Sequence, residues 1–158
     1  MIKLLNVKNI LLVFVLFLGS FYSHGQTDVM KKDEGSWNTL SMVTYQREFD
    51  ETFGIDIEKP VLNPLVRTLE GKEIEVEGYI IPLTGKIEQS HFMLSRYPQS
   101  MCFFCGKAGP ESAAQVFTKG GKKIAFTEKK IKVRGMLRIN VTDVTNLLYT
   151  IEDGVIID

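Results

Sequence analysis

Two cysteines three positions apart are the residues of this sequence best suited to chemistry. Cys102 and Cys105 are its only cysteines, and Gly106 follows the second one directly. This spacing lets both sulfur atoms point at one centre, and the glycine allows the positive φ that directs backbone N–H groups toward the sulfurs. The pattern is typical of one half of a thiolate metal site, and the sequence contains no second pair to complete it.

A zinc ion takes four ligands, so the two cysteines need further donors. His91 is the only histidine that remains if the first 25 residues are removed, and Glu111 follows shortly after Cys105. We therefore predict a transition-metal site formed by Cys102, Cys105, His91 and Glu111. Glu111 serves there either as the fourth ligand or as a residue that orients the others. Because thiolates and an imidazole also suit Cu(I), the predicted ion is zinc, with copper as the alternative.

The same cysteines allow two other functions. In an oxidising compartment a cysteine pair is often a disulfide, which would leave a non-catalytic interaction module with a shaped loop. The pair could also serve a periplasmic thiol–disulfide oxidoreductase, although such sites usually lie in a βαβ unit, and Gly106, Gly109 and Pro110 here prevent a long helix after Cys105. Covalent haem requires a histidine where Gly106 stands. No hydrolase or nucleotide-binding motif is present, so the sequence favours a binding protein over an enzyme.

Residues 1–25 have the composition of a secretory signal peptide. Two lysines precede an apolar run from Ile10 to Leu18, and small residues at Ser23 and Gly25 lie just before Gln26. The run is shorter than the roughly 20 apolar residues that span a membrane. No cysteine stands at the cleavage point for lipid attachment. We predict a periplasmic or secreted protein, without stable membrane insertion, that starts with a flexible leader over 26–36.

Charge and composition narrow the class of partner. Nineteen basic residues balance nineteen acidic ones, and removal of the two signal-peptide lysines leaves 17 against 19, a net charge of −2. Such a chain gives no electrostatic attraction to nucleic acid. We therefore predict a metal ion and an envelope protein as partners, and we interpret the basic residues from Lys129 to Arg138 as a solvated strand face.

Alternation of apolar and polar residues predicts β-strands in the second half of the chain. Residues 73–81 alternate up to Pro82, and residues 131–139 give the longest alternation. Shorter strands are predicted at 91–97, 113–118, 124–127 and 147–151, with a short helix as the alternative for 113–118. Residues 37–53 fit neither period, and we predict a helical turn followed by an extended arm.

Glycines at the middle of the two long strands indicate how the sheet is curved. Gly78 and Gly135 stand where glycine weakens a strand and is usually kept for a bend or a close backbone approach. Two such glycines favour a coiled, closed sheet. We predict one mainly β domain over 37–158, an OB-like five-stranded Greek-key barrel with an N-terminal arm. An open antiparallel β-sandwich is the alternative, because the number of strands does not separate the two.

Several segments together carry a family resemblance: WNTLSMVTY, LEGKEIEVEGYIIPL, HFMLSRYP, CFFCGKAGPES, and IKVRGMLRIN with LLYTI. They resemble a family of small exported bacterial proteins of unknown function, frequent in Bacteroidetes-type genomes. The specific part is the CFFCGxxGPES block. The resemblance implies an OB-like fold, an envelope location and Cys102, Cys105 and Glu111 as signature positions. It implies no substrate or reaction, and His91 is nominated by its spacing alone.

Overall fold

The protein is mainly β, as described by a computed structural model over residues 33–52, 54–143 and 145–157. The predicted signal peptide (1–25) and residues 26–32 of the predicted leader lie outside these residues. The helices and strands, in chain order, are α1 (Asp33–Leu40), β1 (Val43–Asp50), β2 (Ile55–Leu62), α2 (Pro64–Arg67), β3 (Glu73–Ile81), β4 (Glu88–Gln89), β5 (His91–Ser95), β6 (Ala113–Thr118), β7 (Ile124–Ala125), β8 (Ile131–Ile139) and β9 (Tyr149–Ile157).

Five of these strands close into a barrel in the order β3–β5–β6–β9–β8. Strands β6 and β9 run parallel, and the other neighbouring pairs are antiparallel. A meander of three strands followed by two strands in exchanged order is the Greek-key connectivity of an OB barrel. The OB-like prediction is therefore confirmed. The open antiparallel sandwich is wrong, because β3 pairs with both β5 and β8 and leaves no open edge.

The barrel interior is filled by alternate residues of its strands, as the period-two pattern requires. Tyr149 is fully buried, and its hydroxyl donates to the carbonyl of Leu40 at 2.7 Å. That bond satisfies the polar atom of a large buried ring. The core comprises, among others, Ile74, Val76, Ile80, Phe92, Leu94, Ala114, Val116, Val133, Leu137 and Ile151.

Helix α1 is part of this folded unit and begins at Asp33, inside the segment 26–36 predicted as a leader. The buried Ser36 donates its hydroxyl to the carbonyl of Glu75 at 2.7 Å, and Trp37 Nε1 donates to the carbonyl of Glu77 at 2.7 Å. These partners lie about forty residues along the chain, so the polar local sequence does not reveal them. In the part of the chain that the structure describes, no helix is both long and apolar enough to cross a membrane.

The predicted N-terminal arm is a two-stranded antiparallel hairpin, β1–β2. Its base joins the core through Leu62 and the partly buried Val43. Towards its tip the strands become exposed, with Phe49 60% and Ile55 57% exposed. An isolated hairpin is marginally stable in water, so contacts near its base must hold the arm against the barrel.

The last strand is longer than predicted. Strand β9 runs over Tyr149–Ile157, whereas the sequence pattern predicts 147–151. Asp153 has a φ of 51°, and the register against both neighbours shifts nearby. Asp-Gly is typical of a turn, and here it forms a bulge that bends the strand without ending it. The strand predicted at 124–127 is observed only as Ile124–Ala125, which pairs with β4 outside the barrel.

The basic residues of β8 pair with acids of the strands that flank it. Arg134 Nη2 lies 2.7 Å from Glu75 Oε1 on β3, and Arg138 Nε lies 2.8 Å from Glu152 Oε2 on β9. Solvent screens these exposed ion pairs, and they give Arg134 and Arg138 an acidic partner each. The basic face is therefore an ion-paired surface.

The glycines at mid-strand mark two close backbone approaches. A Cβ on Gly135 would lie 2.6 Å from the carbonyl oxygen of Glu152 and 2.6 Å from Ile151 Cγ2, and one on Gly78 would lie 2.6 Å from the carbonyl oxygen of Ser95. Both glycines permit neighbouring strands to coil tightly enough to close the barrel.

We expect Gly135→Ala to lower the free energy of unfolding by about 1–3 kcal/mol, because the added methyl overpacks a contact that is mostly backbone. Gly85→Ala is the matched control, since a Cβ there meets nothing within 4 Å, and its effect should stay within about 0.5 kcal/mol. Urea unfolding of both variants measures the difference. Equal effects would show that the close approach at Gly135 does not limit stability.

Candidate metal centre

The connection between β5 and β6 carries both cysteines and is built from three single-turn 3-10 helices: Gln99–Met101, Phe103–Cys105 and Pro110–Ser112. The second turn closes when the amide of Cys105 donates to the carbonyl of Cys102 at 3.1 Å. It ends at Gly106, which has a φ of 67°. Only glycine adopts this conformation without strain, so the positive φ predicted for Gly106 is confirmed.

Cys102 and Cys105 are both free thiols, and their Sγ atoms lie 3.7 Å apart. A disulfide would bring the sulfurs to about 2.05 Å. Two thiolates bound at about 2.3 Å to one tetrahedral zinc ion lie about 3.8 Å apart. The separation of the two sulfurs is that of a hydrogen bond between thiols, and it also matches the spacing of two ligands on one ion.

The two cysteines differ in how firmly they are held. Cys102 is buried in a small apolar cluster outside the barrel core, with Ile81, Met93 and Ala113 as its buried neighbours. Cys105 is exposed. The barrel wall thus fixes one sulfur, and the other faces the side from which a metal or another molecule can approach.

The thiol of Cys105 is stabilised in its protonated form. Its Sγ donates to the carbonyl of Gln99 at 3.0 Å, and Cys102 donates to it in turn. The hydrogen bond with Cys102, followed by burial, raises the pKa of Cys105, and the charge of Lys107 opposes that rise. A reactive redox cysteine usually has a lowered pKa, and the pKa of Cys105 shifts in the opposite direction.

His91 is the first residue of β5, and the chain enters the cysteine loop after the last residue of this strand, Ser95. Its ring stacks on Phe117 with the centroids 4.2 Å apart, and its Nε2 lies 3.1 Å from Gln115 Oε1. In the ladder His91 pairs with Phe117, whereas Ser95, at the loop end, pairs with Ala113. The described contacts of the imidazole are therefore with β6.

Glu111 is held by the N-terminal arm. Its Oε2 accepts a hydrogen bond from the Tyr45 hydroxyl at 2.9 Å. Burial and then this bond raise the pKa of Tyr45 above its ordinary value. The carboxylate folds back over Gly109, where any Cβ would collide with it. The hydrogen bond between Tyr45 and Glu111 thus ties the Gly-Pro-Glu-Ser block to the arm, and we call this contact the clasp. The two residues are 66 positions apart, so no local sequence pattern predicts it.

Two of the four predicted ligands are therefore brought together. Among the residues that the structure describes, no group of three or more His, Cys, Asp or Glu side chains is placed to hold one metal ion. Cys102 and Cys105 are adjacent, whereas His91 and Glu111 contact other partners. A four-ligand site stays a prediction that requires both of these side chains to change partners.

A cleft of about 490 Å³ lies beside the cysteine loop. Its walls come from the arm, β5, the cysteine loop and the β8–β9 connection. Tyr45, Met93, Phe103, Phe104 and Leu147 are among its lining residues. Its described lining includes the carboxylates of Glu58 and Asp143 and contains no lysine or arginine, so the cleft has no charge that would attract a polyanion. Sequence reasoning missed it because its walls are distant in the chain.

Neither a protein-family model nor a curated protein matches this chain. A crystal structure of a DUF3299 family protein from Pseudomonas aeruginosa PAO1 is similar to it, with 18% sequence identity over 60% of this chain and 67% of that chain, and a TM-score of 0.42.

We expect Tyr45→Phe to loosen the arm, because the change leaves the half-buried Glu111 carboxylate without its phenol partner. The free energy of unfolding should fall by about 1–3 kcal/mol, and amide hydrogen exchange should become faster in β1 and β2. Tyr79→Phe is the control, since the Tyr79 ring contacts Lys130 through its face at 5.7 Å, and it should leave exchange in the arm unchanged. Equal protection of the arm in both variants would contradict the clasp.

Proposed function

We propose that this protein is an exported envelope protein that binds a thiolate-preferring transition-metal ion, zinc or Cu(I), through Cys102 and Cys105. The observation that supports the proposal is the 3.7 Å separation of two free sulfurs on one short loop. Thiolates are the ligands preferred by zinc and by Cu(I). Both thiols lose their protons as the ion binds.

The surroundings of the cysteines suit such a site. The apolar contacts of Cys102 with Met93 and Ala113 hold its sulfur in place, so little order is lost when an ion binds. The exposed Cys105 provides the entry side. The thiol–disulfide oxidoreductase alternative has less support, because the pKa of Cys105 is raised and an attacking thiol needs a substantial thiolate fraction.

His91 and Glu111 can act as ligands only if metal binding releases more free energy than the loss of their present contacts costs. To reach the metal, His91 would have to give up stacking worth about 0.5–1.5 kcal/mol and a hydrogen bond worth about 1 kcal/mol. Glu111 would have to leave the Tyr45 hydroxyl. Structural zinc binding contributes about 10–16 kcal/mol, which is larger than the free energy lost when these contacts break. Mutation of each residue tests whether it is a ligand.

We expect the purified, reduced protein to bind zinc or Cu(I), and we expect Cys102→Ser and Cys105→Ser each to weaken binding by more than about a hundredfold. That loss exceeds the ~10–100-fold typical of residues that only orient ligands. His91→Gln and Glu111→Gln should bind normally if the thiolates are the only protein ligands. Elemental analysis and competition with a chromogenic chelator measure content and affinity, with Ser100→Ala as the control in the same loop.

One result would enlarge the ligand set, and two results would overturn metal binding. A loss in His91→Gln or Glu111→Gln as large as in the cysteine variants would establish a larger ligand set. A metal-free protein with a stable Cys102–Cys105 disulfide would favour the structural interaction module. A metal-free protein whose disulfide has an oxidising potential would favour the oxidoreductase.

The export part of the proposal has its own test. We expect the protein recovered from the cell envelope or the medium to begin at Gln26, because the small residues Ser23 and Gly25 precede it. Intact mass spectrometry of the tag-free protein gives the start of the chain. A cytoplasmic protein that keeps residues 1–25 would contradict export.

A further inference from the structure

The cysteine loop supplies only half of a zinc coordination shell. Tetrahedral structural zinc takes four ligands, and in the described parts of the chain no third His, Cys, Asp or Glu joins the two cysteines. His91 and Glu111 are engaged with Gln115 and Tyr45. If His91 and Glu111 keep these partners, a donor from outside the described residues can approach on the exposed side, where Cys105 lies.

We propose that zinc joins two copies of this chain, each contributing Cys102 and Cys105 to one four-cysteine site. The inference rests on the proposed metal-binding function and names the partner that completes the site. Two identical loops related by a two-fold axis provide four thiolates, which is the ligand set of closed structural zinc sites. Two-fold symmetric dimers are the commonest oligomers, and each uses one self-complementary patch.

The surface around the exposed sulfur has the apolar character of such a patch. Met101, directly before Cys102, is 50% exposed, and Phe104, between the cysteines, is 56% exposed. The Phe104 ring lies 5.3 Å from the half-buried ring of Phe103, which packs on the cluster that holds Cys102. Aromatic residues and methionine are enriched where protein surfaces meet. A second loop packed on this patch would cover both side chains and keep water from the thiolates.

The charges near the loop also fit a second copy. Zinc with four thiolates carries a net charge of −2, which a low-dielectric interface destabilises unless cations lie nearby. Lys107 lies close enough for its charge to act on Cys105. Two copies bring two such lysines and balance the site. Glu111, the acid nearest to the cysteines in sequence, is directed to Tyr45 and so is not aimed at the metal.

Zinc titration of the purified, reduced, metal-free protein tests this arrangement, with sedimentation velocity for mass and elemental analysis for stoichiometry. We expect one zinc ion per two chains, a doubling of the mass, and a return to monomer when a chelator removes the zinc. Cys105→Ser should neither bind zinc nor dimerise. One zinc ion per monomer would overturn the dimer but leave the proposed metal-binding function in place, whereas no zinc binding at all would overturn both.

A matched pair of variants tests the contact surface without touching a ligand. Phe104→Asp places a charge beside the metal loop, and we expect it to raise the dissociation constant of the zinc-bound dimer by about tenfold or more, or at least about 1.4 kcal/mol. Phe49→Asp makes the same change on the exposed end of the arm, where Phe49 is 60% exposed against 56% for Phe104, and should leave the dimer unchanged. Equal effects of the two variants would overturn the assignment of the interface to this loop.

Discussion

Closure of the barrel depends on backbones that approach too closely for any side chain at Gly78 and Gly135. At Gly78 the constraint is the Ser95 carbonyl, which ends β5 just before the cysteine loop. At Gly135 it is the bulged part of β9, which lies beside Val116 and Thr118, at the end of β6 away from the cysteine loop. Gly78 therefore fixes the end of β5 from which the cysteine loop starts, whereas Gly135 permits closure of the barrel where β8 meets β9.

A second constraint divides the loop into a fixed half and an accessible half. The clasp between Glu111 and Tyr45 ties the returning segment to the arm, and Ser112 closes its own turn by donating to the carbonyl of Gly109 at 2.6 Å. Cys102 is fixed by apolar packing against the barrel wall. Of the two cysteines, only Cys105 is exposed. Cys102 is 2% exposed, so the loop would have to move for its sulfur to share an ion with donors from another chain, whereas Cys105 is already accessible.

The sequence predicted those features whose cause is local. Residues 73–81 and 131–139 alternate because one face of each strand fills the barrel, and the positive φ of Gly106 follows from its place after a tight turn. The end of β9 was missed because Asp153-Gly154 is typical of a turn, and only pairing with two neighbouring strands makes it a bulge. His91 and Glu111 were nominated by residue type and spacing, but their observed partners, Gln115 and Tyr45, are distant in sequence. No periodic pattern encodes such contacts.

Because the cysteine loop offers only two thiolates, the metal that it would bind depends on whether two chains associate. Zinc in a four-cysteine site needs two chains, so its apparent affinity rises with protein concentration, as for any ligand whose binding requires assembly. Cu(I) is satisfied by soft thiolates and does not impose the same requirement of four ligands. A dilute chain should therefore favour Cu(I), and a concentrated one should retain zinc. If the loop binds metal and pairs with a second copy as proposed, local protein concentration as well as ligand type determines which ion it holds.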